Sequence, residues 1–297
     1  MWVFERGWLS ANSVLFTGPG PAALMDSGYC IHAPQTVALV QQTLGDRPLE
    51  LLLNSHLHSD HCGGNAALQA AFPGLQTRIP PGQAAHVADW NPVALSYTPT
   101  GQQCPRFRFE GVLQPGQAIE LGGLPWTIHA APGHDPDAVI LFEPQSRTLL
   151  SADALWQNGF GVVFPELEGR QAFDDVSATL DLIEGLAPQV VVPGHGAIFT
   201  DVHAALGTAR QRLAGFLAHP EKHARHAAKV LLKFKLLEVQ RQPRADFLAW
   251  AQQTLYFDMV HQRHFPQLTQ EEWFDQLLAD LVRAGAAREE DGVVANS

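Results

Sequence analysis

Six consecutive residues, His56-Leu57-His58-Ser59-Asp60-His61, hold four groups able to bind a metal ion. Imidazole and carboxylate are borderline-to-hard donors, suited to Zn²⁺, Fe or Mn²⁺. His56 and His58 stand two apart, so an extended backbone projects both rings to one side. A short turn then carries Asp60 and His61 to a second position nearby. Histidine makes up 14 of 297 residues, too few for this crowding to follow from composition. Cys62 comes next in the chain. It reads as a ligand, a nucleophile or, the reading favoured here, a small buried hydrophobe. Gly63-Gly64 then lets the backbone pass close by without a Cβ clash.

The elements around this hexapeptide are those of an α/β protein. Leu49–Leu53, apolar except for Glu50, ends in Asn54-Ser55-His56, as expected of a buried strand that delivers side chains at its tip. Leu9–Thr17, Ala22–Met25, Gln117–Leu121, Trp126–Ala130, Ala138–Glu143, Thr148–Ser151 and Val190–Val192 are further strand candidates. A helix is expected over Ala66–Phe72. Another carries Phe173, Val176, Leu180 and Ile183, with Gly185 as its stop. Three more donors stand where strands run into loops: His134 in Pro132-Gly133-His134, Asp153 in Ser151-Ala152-Asp153, and His195 in Pro193-Gly194-His195-Gly196. Strand ends on one sheet edge are where α/β proteins gather site residues.

The order of these motifs resembles the metallo-β-lactamase superfamily, and specifically its glyoxalase II-like hydrolases, over roughly residues 1–200. The resemblance implies a four-layer αβ/βα sandwich with metals on one edge. It implies that His56, His58 and His134 hold one ion, that Asp60, His61 and His195 hold a second, and that Asp153 bridges them. Two divalent ions are therefore expected, zinc first, with iron or manganese as alternatives. The implied reaction is hydrolysis of a small ester, thioester or lactone by a hydroxide held between the ions, with Asp60 and Asp153 as the catalytic carboxylates. Asp26, in Met25-Asp26-Ser27-Gly28, reads either as a support of the metal loop through hydrogen bonds or as a plain turn residue. Two departures from the family pattern stand out. Ala152 replaces a common Gly before the bridging Asp, and Asp135 replaces a common Thr after the first Gly-His. Asp135 and Asp137 either face inward, where they would disfavour strongly anionic substrates, or, the reading favoured here, are solvated loop residues.

After about residue 212 the pattern changes to helices. Ala227, Val230, Leu231, Phe234 and Leu237 repeat at helical spacing. Thr269-Gln270-Glu271-Glu272 reads as a capping box leading a stripe of Trp273, Phe274, Leu277, Leu278, Leu281 and Val282. Residues 285–295 suit a hairpin turning at Asp291-Gly292. The expected division is a catalytic domain over 1–212 and a winged-helix-like helical domain over 213–297. The aromatic segment with Trp250, Tyr256, Phe257, Met259, His261 and Phe265 suits the mouth of the site or packing between domains. His223 and His226, three apart on a helix, read as solvated or packing residues.

Charge and composition narrow the function. The net charge is −11, and residues 1–212 hold 9 Lys+Arg against 19 Asp+Glu. An acidic body argues against a broad nucleic-acid face. Residues 221–241 are locally basic, with 6 Lys+Arg against 2 Asp+Glu, and read as a solvated helix face rather than a phosphate-contacting one. No stretch approaches the run of about 18 apolar residues that spans a bilayer. The first ten residues lack the apolar core of a signal peptide, and three scattered cysteines form no disulfide framework, so the cytoplasm is the expected compartment. Expected partners are a small-molecule substrate and, as an option, a second copy of the chain in a homodimer. Two other activities stay open: an endoribonuclease-like phosphodiesterase, and a persulfide dioxygenase-like oxidoreductase holding one iron.

Overall fold

The computed structural model describes residues 1–297, which divide into two compact units. The first comprises residues 1–95 and 103–214, and the second 96–102 and 215–297.

In the first unit, β1 (Trp2–Phe4), β2 (Ser13–Phe16), β3 (Ala23–Met25), β4 (Leu51–Leu53), β5 (Gln76–Ile79) and β6 (Gly111–Val112) pair in chain order as one sheet. β1, β2 and β3 run antiparallel, and β3 to β6 run parallel. A second sheet has the order β11-β10-β9-β8-β7, built from β7 (Ala118–Leu121), β8 (Leu124–Ala130), β9 (Val139–Glu143), β10 (Thr148–Ala152) and β11 (Val190–Pro193). Only its β10–β11 pair is parallel.

Side chains alternate across β2, β3 and β4 with a period of two. Phe16, Met25, Leu51 and Leu53 meet Trp126, Ile128, Leu141 and Val192 in a core between the sheets. Leu15, Leu24 and Leu52 face the other way and pack on α1 (Ala33–Leu44), through Val40, and on Leu68. Burial on both faces is why these strands read as continuous apolar runs rather than alternating ones. Each fully buried Leu or Phe contributes about 1.5–3 kcal/mol. The helices α2 (Ser59–Cys62), α3 (Asn65–Ala71, which carries Leu68) and α4 (Ala84–Asp89) follow β4 and β5, while α5 (Phe164–Leu167) and α6 (Phe173–Leu186) follow β10. Together these make an α/β unit of two mixed sheets with helices, as the sequence led one to expect.

Two local expectations fail. The apolar run Leu9–Thr17 is strand only over Ser13–Phe16. Residues before it form a loop whose backbone bonds other loops: Ala11 N–H donates to Asp60 O at 2.9 Å and Asn12 N–H to Gly194 O at 2.7 Å. Gly185 does not stop α6. The helix ends at Ala187, in the left-handed region at φ 49°, because Pro188 disfavours helical backbone before it.

α7 (Val202–Ala218) belongs to the first unit through residue 214, and the second unit then holds α8 (Pro220–Val239), β12 (Arg241–Pro243), α9 (Arg244–Gln253), α10 (Leu255–His264) and α11 (Gln270–Arg283). The hairpin of β13 (Ala287–Glu290) and β14 (Val293–Asn296) joins β12 in a three-stranded sheet. The capping box on α11 is formed in both directions by Thr269 and Glu272. Trp273 is fully buried, with Phe257 at 4.4 Å and Phe265 at 5.1 Å between ring centroids. Phe257 and Phe265 therefore build the unit's own core instead of lining a mouth, because helical spacing on α10 turns that face onto α11. The basic face of α8 is largely engaged: Arg225 and Lys229 pair with Asp280, Lys235 with Glu238, and Lys233 donates to Ala286 O. No helix is long and apolar enough to cross a membrane.

Candidate metal centre

The seven donors predicted from sequence converge from distant segments. Their ligand atoms form three overlapping groups, each with all atoms within 4.8 Å: His56, His58 and His134; His56, His61 and Asp153; and Asp60, His61 and His195. His56 leaves the tip of β4. His58 caps the N-terminus of α2 in extended conformation, and the single turn of α2 presents Asp60 and His61. Asp153 follows β10 and His195 follows β11, so the parallel pairing of these strands sets their side chains at one edge. At Gly194 an added Cβ would sit 2.2 Å from Asp153 Oδ1, so only glycine lets this loop approach the carboxylate. Gly64 serves a different contact from the one expected: its Cβ would strike Ser27 O at 2.5 Å, away from the donors.

The histidines are held with defined nitrogens facing inward. His134 Nδ1–H donates to Val162 O at 2.6 Å, so its Nε2 carries the lone pair and faces His58 Nδ1 at 2.7 Å. Ser55 Oγ–H donates to Asp26 Oδ2 at 2.7 Å and therefore accepts from His56 Nδ1 at 3.0 Å. His61 Nδ1 donates to the same Asp26 oxygen at 2.8 Å. The result is that His56 Nε2 and His61 Nε2 are buried with no hydrogen-bond partner. Buried polar atoms are almost always satisfied. These two inward-facing nitrogens, with His61 Nε2 3.3 Å from Asp153 Oδ1, in a set of imidazole and carboxylate donors, fit divalent metal ions. Asp26 also accepts from Ser55 N at 2.8 Å, so it ties the loop and orients His61, the supporting role of an outer hydrogen-bond partner.

The electrostatics of the donors suit a bound cation. Burial holds His56 well below the ordinary imidazole value and puts His58 and His134 at about 4. Burial acts the same way on His61, but Asp153, Asp26 and Asp60 outweigh it and hold that imidazole well above its ordinary value. Burial would raise Asp60 and Asp153. Nearby histidines reverse this: His61 and His195 bring Asp60 to about 2, and His195 and His61 hold Asp153 well below the carboxylate range. The carboxylates are ionised and three imidazoles are neutral, the states metal binding requires.

Other residues shape the rim. His195 Nε2 lies 3.0 Å from Asp60 Oδ2 and 3.8 Å from Asp153 Oδ1. Trp8 stacks flat on His195 at 4.8 Å, Trp156 meets it edge-on at 5.4 Å, and Trp156 Nε1–H donates to Asp153 Oδ1 at 3.2 Å. Phe164 lies 4.8 Å from the His58 ring. Sequence reasoning missed these aromatics. The one available signal was Trp156, three residues beyond Asp153 in a polar loop. Asp135 was misread. It is buried, Oδ1 accepts from Asp137 N at 2.8 Å, Oδ2 accepts from Gln83 Nε2 at 3.2 Å, and Oδ2 lies 3.8 Å from His58 Nε2. Its carboxylate closes the turn and so points inward rather than to solvent. Ala152 occupies the left-handed region at φ 45°, where the strand register shifts before Asp153. That conformation suits glycine and explains the residue common in the family.

Residues 6–195 match the family model of the metallo-beta-lactamase superfamily. The chain belongs to that superfamily. A hydroxyacylglutathione hydrolase from Synechococcus sp. (strain JA-3-3Ab) is 28% identical over 151 residues, covering 46% of this chain and 51% of the relative. An atrochrysone carboxyl ACP thioesterase from Aspergillus novofumigatus (strain IBT 16806) is 25% identical over 212 residues, covering 70% and 55%. The chain thus spans about half the length of these curated relatives. The crystal structure of a metallo-beta-lactamase family protein from Thermus thermophilus shares the fold, with TM-score 0.54, 19% identity and coverage of 97% of this chain and 94% of that one.

Proposed function

We propose that this superfamily member hydrolyses a small ester, thioester or lactone at a centre of two divalent ions, zinc first, held by the seven donors. The observation that carries the reading is the inward aim of His56 Nε2, buried without a hydrogen-bond partner, and of His61 Nε2, 3.3 Å from Asp153 Oδ1. In this reading His56, His58 and His134 hold one ion, Asp60, His61 and His195 the other, and Asp153 both. When bound, such ions act as Lewis acids that lower the pKa of a water and polarise a carbonyl.

The remaining work belongs to the chain. Asp153 has only 6% of its side chain exposed and is fixed by Trp156, so it sets the geometry. Asp60, at 15%, is the more open carboxylate and takes the proton released as the nucleophile forms, then returns it to the leaving group. The indole of Trp8, 56% exposed against His195, gives a flat apolar surface for an acyl portion. Asp135 places a buried carboxylate on the His58 side, which disfavours strongly anionic substrates there. The names of the curated relatives, a hydroxyacylglutathione hydrolase and an ACP thioesterase, favour thioesters within this range. A panel of thioesters, lactones, phosphodiesters and RNA, run on metal-loaded protein, tests the reading. Metal-dependent turnover of a thioester or lactone is expected. Turnover confined to phosphodiesters or RNA, or oxygen consumption with a persulfide, would replace it.

A further inference from the structure

None of the chain's three cysteines is in a disulfide, and two of them touch. Cys62 Sγ lies 3.8 Å from Cys104 Sγ, across 42 residues of sequence. Cys62 is completely buried in α2, the turn that presents Asp60 and His61. Its thiol donates to His58 O at 3.3 Å and Leu57 O at 3.4 Å, so it braces the backbone of the metal loop. Cys104 is partly exposed. Cys30 lies in the same neighbourhood, its Sγ donating to Gln103 O at 3.5 Å.

We propose that Cys62 and Cys104 form a reversible disulfide that couples the metal loop to peroxide. A disulfide bond is about 2.05 Å long, so the sulfurs must approach by roughly 1.8 Å. The exposed partner reacts first. Cys104 sulfur attacks one oxygen of hydrogen peroxide, the O–O bond breaks, and Cys104 sulfenic acid and one water result. Cys62 sulfur then attacks the sulfenic sulfur, the S–O bond breaks, and the hydroxyl leaves with the Cys62 proton as a second water. Two thiols are oxidised by two electrons and one peroxide is reduced. The new bond removes the Cys62 thiol donor from His58 O and Leu57 O and ties α2 to residue 104, which disturbs the presentation of Asp60 and His61.

The test treats the reduced 297-residue chain with hydrogen peroxide, counts thiols after denaturation, and maps linked peptides by mass spectrometry. The expected result is a fall from three reactive thiols to one, a mass loss of about 2 Da for the two hydrogens removed, a peptide linking Cys62 to Cys104, and full reversal by dithiothreitol. Three surviving thiols, a Cys30–Cys104 link, or stable oxygen adducts on Cys104 would overturn the proposal. Its functional arm rests on the hydrolase reading: turnover falls at least severalfold in the native chain, returns with dithiothreitol, and is insensitive to peroxide in Cys104→Ser. An equal loss in Cys104→Ser would overturn the coupling. A chain with no measurable turnover would sink the hydrolase reading while the thiol chemistry stays measurable.

Discussion

Both units contain a buried imidazole nitrogen with no hydrogen-bond partner, and the two differ in what surrounds them. In the first, His56 Nε2 stands among His58, His61, His134 and Asp153. In the second, His261 donates through Nε2 to Leu268 O at 2.8 Å, and its Nδ1 is orphaned beside the Trp273 ring at 5.3 Å, with no carboxylate within ion-pair range. An orphaned nitrogen alone is a packing compromise. It becomes a metal site when several lone pairs and ionised carboxylates share one small volume. His223 is likewise buried, its ring 5.0 Å from that of Phe216.

The contrast can be broken by mutation. His58→Ala removes a donor at the centre and is expected to lower turnover by at least about a thousandfold, as loss of a catalytic ligand does. Native-like kcat/KM in that variant would end the distinction between the two sets of histidines. Trp273→Ala should instead cost the second unit about 3–5 kcal/mol through the cavity left under Phe257 and Phe265. Denaturant melts would register this, and metal content of the folded protein should stay unchanged. Asp26→Ala frees His61 from its support and is expected to weaken metal affinity by about 10–100-fold, read by chelator competition. An effect under about twofold would make Asp26 a turn residue after all.

Acidity sharpens the same comparison. In the metal-free chain His61 is held above its ordinary value by three carboxylates, so at neutral pH it carries a proton that a metal must displace. Metal affinity should therefore rise about tenfold per pH unit until the raised His61 value is passed. His58 and His134, at about 4, are already neutral and add nothing to this slope near pH 7. Chelator competition across pH, with proton release followed by indicator dye, checks the sign. The smallest expected effect is Ala152→Gly, which relieves a left-handed backbone at φ 45° and should stabilise the first unit by up to about 1 kcal/mol in thermal melts.

The convergence of the seven donors was legible in the sequence because each is announced locally. His56 follows an apolar strand, and His134, Asp153 and His195 follow strands through short turns. The aromatics were not legible, because Trp8 meets His195 only through tertiary folding, and nothing near Trp8 in sequence signals metal chemistry. The Cys62–Cys104 contact was hidden for the same reason. Asp135 was misjudged because its burial depends on Gln83, which lies 52 residues away. In the second unit the capping box at Thr269 and the hairpin turn were legible as local chemistry. The choice of core partners for Phe257 and Phe265 was not, since it required knowing which helix faces them.

The most direct test is the metal stoichiometry of the purified native chain beside Asp153→Asn, by elemental analysis after equilibration with micromolar zinc. Two ions per native chain, with clear loss in the variant, is the result predicted here. A native chain that retains no metal, or a variant that retains as much as the native chain, would contradict it.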